Sequence, residues 1–176
     1  MRDEEFNDRL LKKRTILLEG DITAEKCQKV RQLMMELAIQ SDKQITLIID
    51  SEGGDIHSAL WLLDFIKVLG APVIGVVNGK CMSAALVILQ GCQRRIATIH
   101  SEFQCHYITS SFEILIDGRT DKEAMAARLK RAGESQREVE RIFCKRTGNP
   151  PGKMKKILQK TLVLGLFRCF RHIYCI

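Results

Sequence analysis

Three short stretches of this 176-residue chain carry groups that could do chemistry. The first is Asn78-Gly79-Lys80-Cys81-Met82-Ser83-Ala84-Ala85. It follows the apolar run Val73 to Val77 and leads into the apolar run Ala84 to Leu89, so Ser83 stands where a strand hands over to a helix. A hydroxyl at such a handover can be exposed as a nucleophile, and the Ala84 amide in the first helical turn can face a developing oxyanion. The plainer reading is a helix cap, the commonest job of a serine in that place. The second stretch, Asp50-Ser51-Glu52-Gly53-Gly54-Asp55, closes another apolar run. Adjacent glycines let the backbone turn sharply and present an amide with no side chain in front of it, although an ordinary strand-to-helix turn uses them equally. The third is His106, at the end of Phe103-Gln104-Cys105-His106, either a general base or a structural histidine.

The elements that must position these groups are legible as an alternation. Arg14 to Leu18, Ile45 to Ile49 and Val73 to Val77 read as strands. Cys27, Val30, Leu33, Met34, Leu37 and Ala38 fall on one helical face, with Asp21 or Thr23 as cap, and Ile56, Ala59, Leu60, Leu63 and Ile66 mark the next helix. Strand, helix, strand, helix, strand, helix implies right-handed crossovers and a parallel sheet, with Gly53-Gly54 and Ser83 at strand carboxyl ends, where the sites of such sheets form. Arg94 to Thr98 and Phe103 to His106 are two shorter strands. Phe112 to Arg119 alternates around Asp117-Gly118 and suggests a protruding ribbon, and Asp121 to Lys145 a long helix. Thr147-Gly148-Asn149-Pro150-Pro151-Gly152 stops that helix. The segment Phe6 to Lys13 reads as a polar arm or edge.

Length and composition fit one ordinary globular domain. The charged start and the lack of a bilayer-length apolar run point to a cytoplasmic protein without a membrane span. Seven cysteines show neither C-x-x-C pairs nor zinc-like spacing, and read as reduced and mostly buried. The net charge of +7 does not mark a nucleic-acid binder, because the excess is local. From Arg141 onward there are nine Lys or Arg and no acid, with no aromatic interleaving of the stacking kind.

In their order and spacing these segments resemble the proteolytic subunits of the Clp type, serine peptidases of the ClpP/crotonase-like fold. Arg9-Leu10-Leu11-Lys12-Lys13-Arg14 with Leu17, Gly20 and Ile22 resembles the family's opening strand. Ile49 to Gly54 resembles its N-S-P-G-G turn, with Asp50 for Asn and Glu52 for Pro. Gly79 to Ser83 keeps the spacing from glycine to nucleophile, His106 stands in the place of the family histidine, and Arg146-Thr147-Gly148-Asn149 resembles the H-T-G segment. The likeness covers about Asp8 to Gln159. It implies an α/β fold of stacked ββα units with a long handle helix and a protruding β-ribbon. It also implies Ser83 as nucleophile, His106 as general base, and an oxyanion hole from the amides of Gly53, Gly54 and Ala84, with no metal and no cofactor. The implied partners are an unfolded polypeptide substrate, an AAA+ unfoldase that uses the ATP, and further copies of the chain in a ring.

One part of the pattern is missing. The family's third triad member is an Asp whose place, counted from Thr147, falls at Thr161, and no Asp or Glu follows Glu140. Asp117 and Asp121 are available in sequence as substitute acids, but their expected place is on the handle, and Lys80 is the lysine from which a Ser-Lys dyad could be built. Without the acid the chain reads as an impaired endopeptidase or as an inactive structural subunit of a ring; an acyl-coenzyme A enzyme of the crotonase type is the third reading. Residues 1–160 are expected to form the protease-like domain. Residues 161–176, rich in Cys, Phe, Leu and Arg, lose the family pattern abruptly, as a shifted reading frame would, while Leu162, Leu164, Leu166 and Phe170 could still form an amphipathic docking segment. Resequencing independent clones of the source DNA checks the frame. A shift near Lys160 is expected, and an intact frame with the same tail would contradict it.

Overall fold

The computed structural model describes residues 2–109, 122–159 and 162–165, with side chains at 5–109 and 122–159. Along the chain these form α1 (Arg2–Lys12), β1 (Thr15–Glu19), α2 (Ala24–Gln40), β2 (Ile45–Ser51), α3 (Ile56–Val68), β3 (Val73–Met82) and α4 (Ala84–Leu89). They continue through β4 (Arg94–Ala97), β5 (Glu102–Cys105), α5 (Lys122–Thr147), α6 (Pro151–Gln159) and β6 (Leu162–Gly165). The expected ribbon at 112–119, with Asp117 and Asp121, lies outside the described residues, as do Thr161 and residues 166–176.

One sheet organises the described residues, in the order β1-β2-β3-β5-β6, with β4 also pairing β3. Every pairing is parallel except β5 with β6. The parallel strands are apolar because helices cover them: Leu18, Ile45, Leu47, Ile49, Val73 and Val77 are all buried. They meet Cys27, Val30, Met34 and Leu37 of α2, Leu62, Leu63 and Ile66 of α3 and every residue of α4 in one core.

Three expectations need correction. The segment read as a polar arm is the helix α1; Phe6, Leu10 and Leu11 are too few apolar positions to announce a period, and only Leu11 packs against the core. The stop after Thr147 is brief, because α6 starts at Pro151. Proline at a first helical position loses no hydrogen bond, and Met154, Ile157 and Leu158 then bury one face. The strand expected to end at Val77 runs on to Met82.

Two devices set the walls of the cleft described next. Arg146, near the end of α5, donates to Gln90 O at 2.7 Å and Cys92 O at 3.1 Å, tying the long helix to the turn after α4. Asp55 caps α3, accepting from the Ser58 amide at 2.8 Å and from the Ser58 hydroxyl at 2.5 Å. Burial pushes the Asp55 carboxyl up, but these Ser58 bonds, helped by His57, outweigh it and hold the group below its ordinary value. A carboxyl depressed on folding contributes stability above its unfolded pKa and loses that contribution as pH falls through the folded value. Asp55→Ala should therefore cost about 1 kcal/mol at neutral pH, measured by denaturant unfolding, with the gap to wild type closing in acid.

Candidate active site

β3 changes neighbours half-way along. Its first half pairs β2 from Ile45↔Val73 to Ile49↔Val77, and then the register jumps to Ser51↔Cys81. The surplus residues of β3 are taken up at Asn78-Gly79, where Gly79 has φ +121° and a Cβ would lie 2.5 Å from Asp50 Oδ1. The Asp50 carboxylate fills that space and accepts the Lys80 amide at 2.8 Å. Past this bulge β3 stays on β2 at Ser51↔Cys81 and exchanges its other neighbour, β4 up to Val77↔Ala97, for β5, Lys80↔Glu102 to Met82↔Gln104.

Ser83 follows at φ +49° and ψ −120°, a region that costs a non-glycine residue about 1–3 kcal/mol. The backbone is clamped there from both sides: its N–H donates to Gln104 O of β5 at 2.8 Å, and its carbonyl accepts from Leu86 N of α4 at 3.1 Å. Ser83 occupies the cap position of α4, but its side chain makes no capping hydrogen bond. The strained turn therefore holds out a half-buried hydroxyl that does no capping work.

The glycine pair lies against this turn. A Cβ on Gly53, which has φ +106°, would come within 2.7 Å of Ser83 Cβ and 3.1 Å of Ala84 N. Gly54, at φ +146°, bridges Ile22, whose carbonyl would be 2.4 Å from an added Cβ. Ile22 N donates to Gly53 O and Asp55 N to Ile22 O, each at 2.8 Å, so the turn is stitched to the segment after β1. The Gly53 N–H is spent on the buried Ser51 hydroxyl at 3.1 Å. The Gly54 and Ala84 N–H groups have no acceptor among the described residues.

His106 comes immediately after β5 and is half-buried. It shares with Ser83 a cavity of ≈ 340 Å³, walled by Gly54, Val87, Cys105 and, from α5, Val139 and Phe143. No hydrogen bond joins the Ser83 hydroxyl to His106 among the described residues; the His106 Nδ1 lies 2.5 Å from the carbonyl oxygen of Tyr107. Asp55 and His57 also line the cavity, and Asp55 is its one lining carboxylate among the described residues, engaged with Ser58. Lys80 is not a base candidate. Its ammonium donates to Glu52 at 2.6 Å, and that hydrogen bond and charge raise its pKa above the ordinary value.

A larger cavity, ≈ 430 Å³, opens between α1, β1 and α2, but it contains neither serine nor histidine. Among the described residues no group of three or more His, Cys, Asp or Glu is arranged to hold a metal ion. Asp55 could have been found as the first residue of an Asp-x-x-Ser cap; nothing in the sequence marks Tyr107, whose carbonyl does the work.

The profile of the Clp protease family matches residues 1–165. The chain belongs to the Clp protease family. It is 30% identical over 168 residues to an ATP-dependent Clp protease proteolytic subunit of Lepidium virginicum, covering 94% of this chain and 83% of that one. It is 29% identical over 157 residues to proteolytic subunit 2 of Treponema denticola, covering 88% and 76%. Its fold matches that of a ClpP1 point mutant from Listeria monocytogenes with a TM-score of 0.83, over 96% of this chain and 92% of the other, at 19% identity. The α/β ClpP-type fold expected from the sequence is therefore borne out, and membership makes this Clp family chain a peptidase by kind. Among its described residues no helix is long and apolar enough to cross a membrane.

The tight approach at Gly53 makes a sharp contrast possible. Gly53→Ala should abolish labelling of the assembled protein by a fluorophosphonate, whereas Gly70→Ala, with no atom within 4 Å of the added carbon, should label like wild type. Lys80→Met should also label like wild type; loss of labelling would restore the Ser-Lys reading.

Proposed function

We propose that this chain is a serine-type endopeptidase that hydrolyses unfolded polypeptide, with Ser83 as nucleophile and His106 as general base. The observation that carries the reading is one cavity lined by a strained, non-capping serine, a histidine and Gly54, beside which the amides of Gly54 and of Ala84, the residue after the serine, have no acceptors among the described residues. The amides are those of Gly54 and Ala84; Gly53 shapes the turn, because its own N–H is committed to Ser51.

The steps follow from these groups. Ser83 Oγ forms a bond to the scissile carbonyl carbon while its proton passes to His106 Nε2, and the carbonyl electron pair becomes an oxyanion facing Gly54 and Ala84. The pair returns, the C–N bond breaks, and Nε2 delivers its proton to the departing amine. Water then attacks the acyl-serine, giving its proton to Nε2, which returns it to Oγ as the acid leaves. An amide donor costs no reorganisation at the moment charge develops, and loss of one such donor is worth about 10²–10³ in kcat.

Two expected features belong to the same proposal: the chain works as a homo-oligomeric ring, and an ATP-driven AAA+ unfoldase delivers its substrate. The names of its relatives, ATP-dependent Clp protease proteolytic subunits, support this reading. The lack of a carboxylate bonded to His106 among the described residues favours slow turnover. Leu162 pairs with Cys105, next to His106, and the position of the missing acid, Thr161, is the residue before it in sequence.

Fluorophosphonate labelling of the assembled protein tests the assignment. Wild type should label and Ser83→Ala should not. Labelling that ignores the substitution refutes Ser83, and an assembled ring that never labels makes the chain a structural subunit. Micromolar binding of coenzyme A would favour the acyl-transfer reading instead. Thr161→Asp should raise peptide turnover of the same assembly.

A further inference from the structure

The hydrogen bond at His106 is the first of a chain. Nδ1 faces Tyr107 O at 2.5 Å; the N–H of the same peptide unit, on Ile108, donates to Gln136 Oε1 at 2.9 Å; and Gln136 Nε2 donates to Glu140 Oε1 at 3.1 Å. Gln136 and Glu140 are one turn apart on α5. That helix also sends Val139 and Phe143 into the cavity wall.

We propose that Gln136 is a positioning residue for the base: held by Glu140, it locks the Tyr107–Ile108 peptide so that its carbonyl keeps the proton of His106 on Nδ1. The proposal rests on reading His106 as the base. Each link constrains the next by donor and acceptor type. A carboxylate only accepts, so Gln136 must turn its NH₂ toward Glu140 and its oxygen toward Ile108. Ile108 N–H then has its acceptor, and the peptide plane cannot rotate without losing it. With that plane set, Tyr107 O can only accept, so the neutral imidazole carries its proton on Nδ1 and its lone pair on Nε2. Nε2 is the atom that must take the Ser83 proton.

The link replaces half of what a triad acid does. Donation from Ile108 to Gln136 draws electron density onto Tyr107 O and strengthens its hold on Nδ1–H, since chains of hydrogen bonds polarise one another. The full negative charge stays two amides away on Glu140, so an imidazolium formed during acyl transfer gains orientation but little charge stabilisation. The base is thereby coupled to α5, and a shift of that helix would be felt as a loss of tautomer rather than as a loss of the nucleophile.

Two measurements test this on the full assembled chain. Magic-angle-spinning spectra of ¹⁵N-histidine-labelled protein, with His106 assigned by its disappearance in His106→Gln, should show the neutral ring protonated on Nδ1 in wild type and a mixture of tautomers in Gln136→Leu. Turnover of a short peptide by Gln136→Leu should fall about ten-fold in kcat with KM unchanged, the lower end of the 10–100-fold typical for lost partners that orient a ligating histidine. The exchange Gln136→Glu with Glu140→Gln keeps an acceptor for Ile108 and a donor behind it, and should restore both the tautomer and kcat. A wild-type ring protonated on Nε2, an unchanged kcat in assembled Gln136→Leu, or a double variant no better than Gln136→Leu would each overturn the proposal. The tautomer reads out even in protein whose Ser83 never labels, so failure of the peptidase reading and failure of this link are distinguishable.

Discussion

Three residues of parallel pairing between β3 and β5, from Lys80↔Glu102 to Met82↔Gln104, set where the proposed nucleophile and base emerge. Ser83 follows β3 by one residue and His106 follows β5 by one, so the register itself delivers the pair to the same end of the sheet. The pairing begins where β3, still paired with β2 at Ser51↔Cys81, exchanges β4 for β5 across the Gly79 bulge, which the Asp50 carboxylate fills. The Ser83 N–H bond to Gln104 O is the last rung of this ladder and the one that holds the strained turn. Without that rung, strain of about 1–3 kcal/mol would favour relaxation of the serine into an ordinary cap.

The glycine turn depends on the same clamp. Gly53 can press against Ser83 and Ala84 only because it lacks a side chain, and Gly54 can bridge Ile22 for the same reason. The result is a donor pair drawn from two different strand ends. The proposed oxyanion hole needs no side-chain chemistry, which fits the presence of Glu52 in the turn: it points outward to Lys80 while the backbone keeps its course. The acid of a triad is a different matter, because it must be supplied by a side chain. Losing it by exchange for an amide costs on the order of 10⁴ in turnover, largely through the wrong tautomer. In the proposed mechanism the Tyr107 carbonyl at Nδ1 avoids the tautomer part of that loss and leaves the charge part.

Much of this was legible in the sequence, for identifiable reasons. β1, β2 and the first half of β3 stood out as continuous apolar runs, with one face of β1 and β2 buried and the other largely half-buried, as did α2 and α3 by period. The far half of β3 did not, since Asn78, Gly79 and Lys80 look like a loop, and β3 runs on through them to pair β5 from Lys80 to Met82. α1 and α6 were hidden by sparse apolar positions and by prolines that begin a helix as readily as they end one. At the site, residue types announced Ser83, His106 and the glycines. Which glycine amide stays available was decided by the Ser51 hydroxyl, and what faces Nδ1 by a main-chain carbonyl. Backbone groups are the same at every residue, so no sequence pattern could have named them.

A crystal structure of the assembled protein treated with a peptide chloromethyl ketone tests the central claim most directly, because that reagent must be attacked by the nucleophile and then alkylate the base. The account requires one adduct: Ser83 Oγ bonded to the former carbonyl carbon, the methylene bonded to His106 Nε2 with Nδ1–H still on Tyr107 O, and the oxyanion about 2.7–3.1 Å from the Gly54 and Ala84 amides. Alkylation at Nδ1, an oxyanion turned away from those two amides, or an adduct on another residue would contradict it.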